Sequence, residues 1–419
     1  MSNYHIRHHY INVPLDYQNP KGKEITVYGK EIFLPGQKNA DILVFLQGGP
    51  GYESERDYEN RAWLHYALRH YRVFLIDSRG TGNSSPIDVI VQQKNKRIAQ
   101  TLTHFRADNI VRDCEVFRQR VFKGKAWYLL GQSYGGFTAI NYLSYYPKAL
   151  KGVMIAGGMP PLPHYTPKQI YQKLIHNTIA INKSFYQQYA SNALKHTILQ
   201  ICKILHQTPY PMPDGGVLSV RRFLNVGFLL GGKDGFYELA KLLDSPFTDA
   251  TESALSWRFV KSACDFLQYQ EHPLYALLHE PAYCQYTKSD WASDHIMQEI
   301  KQFNGETNTP YFYAENIRQN VYTDYALLKP YAKAADELMQ KTWGALYNVE
   351  QLQKNQVPVV AVIYKNDFYV DYDLSLETAQ FIPNCHTWRN QKDAHGALRD
   401  EGVKILKGLR TRLIQKMKA

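Results

Sequence analysis

The residues equipped for chemistry start with Ser133, the centre of Gly131-Gln132-Ser133-Tyr134-Gly135. An apolar run from Trp127 to Leu130 precedes it and predicts a buried strand. Helical spacing follows at Phe137, Ile140 and Leu143, and Pro147 stops it. Strand, tight turn and helix in the pattern G-x-S-x-G lift a serine hydroxyl clear of a sheet, where it can act as a nucleophile. The glycines fit that turn, because a Cβ at 131 or 135 would strike the neighbouring strand or helix. A serine hydroxyl needs a base, and the base needs an acid to orient it. Asp367 follows the strand expected at Val359 to Tyr364, and His395 lies in a loop before the last helix. They supply the set in the chain order serine, acid, histidine. Asp371, Asp373 and Asp393 are the rival acids, with Asp373 better explained as a helix cap. His386 is the rival base, but it falls within a strand. The implied chemistry is acyl transfer through a serine ester, with neither metal nor cofactor required.

The elements that must position these residues alternate. Strands are expected at 24–34, 41–47, 71–76 and 150–156, and a helix at 105–122. Such alternation favours a mostly parallel α/β sheet. The strand at 41–47 ends in Gln47-Gly48-Gly49-Pro50-Gly51, whose backbone N–H groups are approachable. Gly49 and Tyr134 are the expected donors to an oxyanion. Asp77 and Arg79 follow the next strand and read as a pair that braces the loop. From about 161 to 345 the spacing turns helical and strands become scarce. We therefore expect residues 1–160 and 346–419 to form one core, split by a helical cap at 161–345. Within it, Gly227 to Asp234 resembles a phosphate-binding loop, but Asp234 stands where a hydroxyl is required, so no nucleotide is expected.

Composition narrows the classes. The chain has 419 residues, 44% hydrophobic and 21% charged, as in a water-soluble globular protein. The net charge is +11, yet Lys and Arg are dispersed, so a nucleic-acid partner is not expected. Basic residues gather only near Lys404 to Arg412, where Leu406, Leu409 and Leu413 predict a helix packed on the core. No apolar run is long enough to span a bilayer, and the start shows no secretory h-region. Five widely spaced cysteines predict reduced thiols in a cytoplasm, with no zinc pattern. His5, His8 and His9 read as a mobile N-terminal segment rather than a metal site.

In these residues the chain resembles the prolyl aminopeptidases (proline iminopeptidases), serine peptidases of the α/β-hydrolase fold, and their larger subgroup most. The matching stretches are Gln47-Gly48-Gly49-Pro50-Gly51, Asp77-Ser78-Arg79-Gly80-Thr81-Gly82, Gly131 to Gly136, Leu278-His279-Glu280, Asp367 to Asp371 and His395-Gly396-Ala397-Leu398-Arg399. The family's F-T-G-E-M-like segment appears as Phe312-Tyr313-Ala314-Glu315-Asn316. The resemblance implies an α/β-hydrolase core with a helical cap that releases N-terminal proline from peptides. It makes Glu280 and Glu315 the candidates for holding the substrate's charged amine. Tyr313, with Tyr283, Tyr286, Trp291, Tyr311 and Phe312, would wall the proline ring. Gln47 stands where smaller relatives often carry His, and is expected to be tolerated because the backbone does the work. An esterase or amidase acting on small acyl groups is the alternative for the same core. An epoxide hydrolase or dehalogenase would carry Asp at position 133. The sequence leaves the oligomeric state open, a homo-oligomer included.

Overall fold

Only a strand covered on both faces can bury every side chain, and short unbroken apolar runs form such strands here. The computed structural model describes residues 4–56, 61–87, 97–189, 191–267 and 269–418. Its strands are β1 (His5–Pro14), β2 (Glu24–Phe33), β3 (Ile42–Leu46), β4 (Arg72–Ile76), β5 (Trp127–Gln132), β6 (Leu150–Ala156), β7 (Tyr210–Pro211), β8 (Val217–Leu218), β9 (Val359–Tyr364) and β10 (Cys385–Asn390). Eight of them make one sheet in the order β1-β2-β4-β3-β5-β6-β9-β10. The strands from β4 to β10 in that order are parallel, and β1 and β2 add an antiparallel edge. Alternate residues of β3 enter opposite cores: Val44 and Leu46 on one face, Leu43 and Phe45 on the other. The second face is closed by Trp63 and Leu64 and by the C-terminal helix Gly402–Lys418, through Ile405, Leu406, Leu409 and Leu413.

The order of strands fixes where a ligand can sit. After β3 the chain fills one side of the sheet with β4, then crosses back to place β5 and β6 on the other. The loops leaving β3 and β5 therefore diverge and leave a crevice at their carboxyl ends. Between β6 and β9 the described residues form helices, from Pro167–Gln188 to Val349–Gln353. Among them stand only the hairpin of β7 with β8 and one isolated bridge, Phe247 with Leu255. The first of these helices opens on a capping box, Thr166 with Gln169.

Buried ion pairs lock the loops around the crevice, with partners that adjacency in sequence does not reveal. Asp77 and Arg79 do not brace each other. Asp77 accepts from the Ser54 N–H and hydroxyl and pairs with Arg56 at 2.6 Å. Arg79 grips both oxygens of Asp113 at 2.7 and 2.6 Å and donates to the carbonyls of Leu15 and His104. Both residues lie in the turn beyond β4, outside the strand's regular alternation, and each is taken by a partner from another segment. Arg106 is also buried. It donates to the carbonyls of Pro281, Cys284 and Gly344 and lies 4.4 Å from the Trp343 ring, tying the inserted helices to the core.

Two local expectations need correcting. The N-terminal histidines are not a mobile segment: β1 pairs with β2 from His5 to Pro14, and His8 Nδ1 meets the Tyr28 hydroxyl at 2.7 Å. An edge strand exposes one face to water, so its outer positions need not be apolar and its period is hard to read. The cap of helix Tyr372–Phe381 is Asp371, which accepts the Leu374 N–H, while Asp373 lies inside the first turn. Replacing Arg79 with Met would leave Asp113 buried and uncompensated. We expect a loss of about 3 kcal/mol in unfolding free energy, measured as a lower urea midpoint with an unchanged slope.

Candidate active site

Ser133 occupies the turn between β5 and helix Tyr134–Tyr145 with φ 52° and ψ −126°, a strained conformation for a residue with a side chain. Its N–H donates to Ala156 O at 3.1 Å, which fastens the turn to β6. The surrounding backbone approaches too closely for side chains. A Cβ on Gly135 would lie 1.9 Å from Leu46 O, and one on Gly48 only 3.2 Å from the Ser133 Cβ. The loop after β3 thus passes directly against the serine. Gly49 within it has φ +125°, a conformation that favours glycine. Tyr134 opens the helix, so its N–H is one of the first four amides that lack an intrahelical acceptor. Gln47 does more than occupy its position. Its Oε1 accepts the Gly48 N–H at 3.1 Å and its Nε2 donates to Glu53 O at 3.2 Å, bracing the loop from the side.

Asp367 and His395 come together across the carboxyl ends of β9 and β10. His395 Nδ1 is 2.7 Å from Asp367 Oδ2. The other carboxylate oxygen accepts the N–H groups of Tyr369 at 2.9 Å and Val370 at 3.0 Å, so Asp367 is fixed by its own turn. An ionised Asp367 only accepts, which places the proton of neutral His395 on Nδ1 and leaves Nε2 as the acceptor. Burial pulls the His395 pKa down. The charge and hydrogen bond of Asp367, helped by Glu315, outweigh burial and hold it above the ordinary value. The glycine turn after β6 touches both halves of the set. A Cβ on Gly157 would lie 3.3 Å from His395 Nδ1, and one on Gly158 would lie 2.1 Å from Ser133 O.

A cleft of about 330 Å³ opens at this point, lined by Gly48, Gly49, Tyr52, Ser133, His272 and Arg399 among others. Glu315 faces the same region from the inserted helices. Its charge acts on His395 and on the hydroxyls of Tyr52, Tyr269, Tyr275, Tyr283 and Tyr369. Glu280 is fully buried, and its two oxygens accept the N–H groups of Ser293 and Ala292 at 3.0 and 3.2 Å. Burial pushes its carboxyl up to about 8, against the pull of those donors. Tyr313 is also buried, its hydroxyl donating to Phe303 O and accepting from Arg318. Of the other aromatic residues expected at the site, Tyr283 lies near it, 5.6 Å from Phe137. Tyr286 is 75% exposed and Phe312 packs on Phe185 and Phe223. The Glu315 charge also reaches the hydroxyls of Tyr52, Tyr269, Tyr275 and Tyr369. They come from distant stretches without shared spacing, so no sequence pattern marks them.

A strained serine at the switch point of a parallel sheet, with an aspartate–histidine pair in the loops after later strands, fits a protein of the α/β-hydrolase fold. The family model for that fold matches residues 41–208. The particular family follows from nearly full-length relatives. The chain is 32% identical over 410 residues to a proline iminopeptidase of Aeromonas sobria, covering 96% of this chain and 95% of that one. It is 30% identical over 427 residues to the proline iminopeptidase aneH of Aspergillus aculeatus, covering 95% and 91%. The protein belongs to the proline iminopeptidase family.

The electrostatics of His395 can be measured directly. We expect its imidazole, followed by NMR, to titrate above the ordinary histidine value of about 6.5. Asp367→Asn should bring that titration down, since burial and the Arg399 charge then act with less opposition. The raised value also stabilises the fold. That contribution is complete below the unfolded pKa and is lost as pH rises through the folded one.

Proposed function

We propose that the protein is a serine exopeptidase releasing N-terminal proline from peptides. The observation that carries this reading is the Asp367–His395 hydrogen bond beside the strained Ser133, under an insertion that presents Glu315. His395 takes the hydroxyl proton on Nε2 while Asp367 holds its orientation. Ser133 attacks the prolyl carbonyl, and the N–H groups of Gly49 and Tyr134 stabilise the oxyanion. His395 then donates its proton to the leaving amine, and water releases proline from the serine ester. Glu315 receives the charged substrate amine, and Tyr52, Tyr269 and Tyr275 enclose the ring. Longer N-terminal extensions would leave the Glu315 charge buried without a partner. Glu280 and Tyr313 serve the same subsite from behind, the first by anchoring residues 292–293 and the second through Arg318 and Phe303.

Residues 161–345 act as the cap of this enzyme in the same proposal. The five cysteines are free thiols, which supports a reducing, cytoplasmic setting. Among the described residues no helix is long and apolar enough to cross a membrane.

The test compares proline and alanine p-nitroanilides with a simple acyl ester. Wild type should prefer the proline amide. Ser133→Ala should lower kcat on both amide and ester by about 10⁴-fold or more. Glu315→Gln should lose amide turnover by roughly 100-fold, the scale of one buried charge pair, and leave the ester within about threefold. Ester hydrolysis without any prolyl amide cleavage would remove the peptidase assignment. The acid limb of kcat/KM reports the free enzyme's base. Its midpoint should lie above the ordinary histidine value, with activity rising as His395 loses its proton.

A further inference from the structure

His279 takes no part in the chemistry above, yet it is placed against the residue that selects the substrate. It ends the helix Pro273–Leu278 and is 3% exposed. Its Nδ1 is 3.0 Å from the Tyr171 hydroxyl, and its Nε2 is 3.5 Å from Glu315 Oε2. The rings of Tyr275 and Tyr283, with centroids 5.2 and 6.0 Å away, hold the imidazole in that plane. Glu280, the next residue, turns the other way, to the amides of 292 and 293.

A neutral imidazole here has two tautomers, and its contacts favour one of them. A neutral ring with its proton on Nδ1 would point the bare lone pair of Nε2 at a carboxylate oxygen. Two acceptors would then face each other in a buried site, which is costly. With the proton on Nε2 both contacts are favourable: Tyr171 donates to Nδ1, and Nε2–H faces Glu315 Oε2 across 3.5 Å. Tyr171 is able to fill that role, since burial keeps it a phenol.

We propose that His279 is the positioning residue of the amine subsite, holding one oxygen of Glu315 and leaving the other for the substrate's charged N-terminal amine. The proposal rests on the reading of Glu315 given above. A carboxylate with free torsions must be ordered when the amine arrives, and that ordering opposes binding. A carboxylate already fixed by a locked donor binds without that cost. His279 transfers no proton and touches no reacting atom, so its loss should act on substrate affinity.

The experiment is steady-state kinetics on proline p-nitroanilide and on p-nitrophenyl acetate, which has no amine. His279→Leu keeps an apolar side chain in the space without a donor, and His279→Gln restores an N–H donor. Circular dichroism and thermal melts confirm that each variant is folded. We expect Leu to raise KM for the prolyl amide about 10-fold, the scale of one charge-assisted hydrogen bond, with kcat within about twofold. Ester kinetics should stay unchanged, and Gln should recover most of the lost KM. An unchanged amide KM in the Leu variant would overturn the proposal. So would parallel losses on amide and ester, or a folded Gln variant no better than Leu. Should only the Gln variant fold, an amide KM near wild type supports the proposal and a 10-fold rise refutes it. A failure of the peptidase reading would show earlier, as wild type that leaves the prolyl amide intact.

Discussion

The rest of the structure depends on how closely three pieces of backbone approach one another at the switch point of the sheet. The loop after β3, the turn after β5 and the start of the following helix meet with no room for a Cβ at Gly135 and little at Gly48. That contact forces Ser133 into its positive-φ conformation and brings the amides of the β3 loop beside it. Strain of this kind persists only where the surroundings over-determine it. Here they do: Ala156 takes the Ser133 N–H, and Gln47 and the Asp77 network hold the neighbouring loop. The buried Arg79–Asp113 pair then anchors that loop to the first strand and to the helix Ala107–Arg120.

Electrostatics divides the acidic groups by what faces them. Asp367 accepts from two backbone donors and one imidazole, and its charge and hydrogen bond, with Glu315, together outweigh the effect of burial on His395. Glu280 is buried completely among backbone donors, and its carboxyl is driven up to about 8. Glu315 is partly buried and lies 3.5 Å from His279 Nε2. The acids therefore differ in role through their neighbours, although each is a plain carboxylate in the sequence. Arg106 pins the carbonyls of residues 281, 284 and 344 to the core.

Much of the site is legible in the order of amino acids alone. The G-x-S-x-G turn, the glycine loop after β3, and an acid and histidine in order after later strands are local patterns with local physical causes. The strands β3, β4, β5, β6 and β9 are equally plain, because a doubly covered strand is a continuous apolar run. Less is legible at the edges and in the insertion. The period of β1 is hidden because one of its faces meets water. Asp77 and Arg79 look like partners by adjacency, yet they pair with Arg56 and Asp113 from other segments. Near Glu315 the expected Tyr283 is joined by Tyr52, Tyr269, Tyr275 and Tyr369, whose hydroxyls feel the same charge and come from distant parts of the chain.

By itself the sequence determined the hydrolase family, the α/β class and the aspartate and histidine that meet beyond β9 and β10. Those follow from backbone geometry over a few residues and from the burial each strand demands. Only the tertiary structure decided which side chains face Glu315, that Glu280 spends its oxygens on a helix start, and that His279 lies between Tyr171 and Glu315. The contact of His279 with Tyr171 alone spans 108 positions of the chain. It is made through packing between helices that carry no mutual signal in spacing. A hydrogen bond between two such side chains depends on rotations and translations of whole elements, and no local pattern in a chain encodes them.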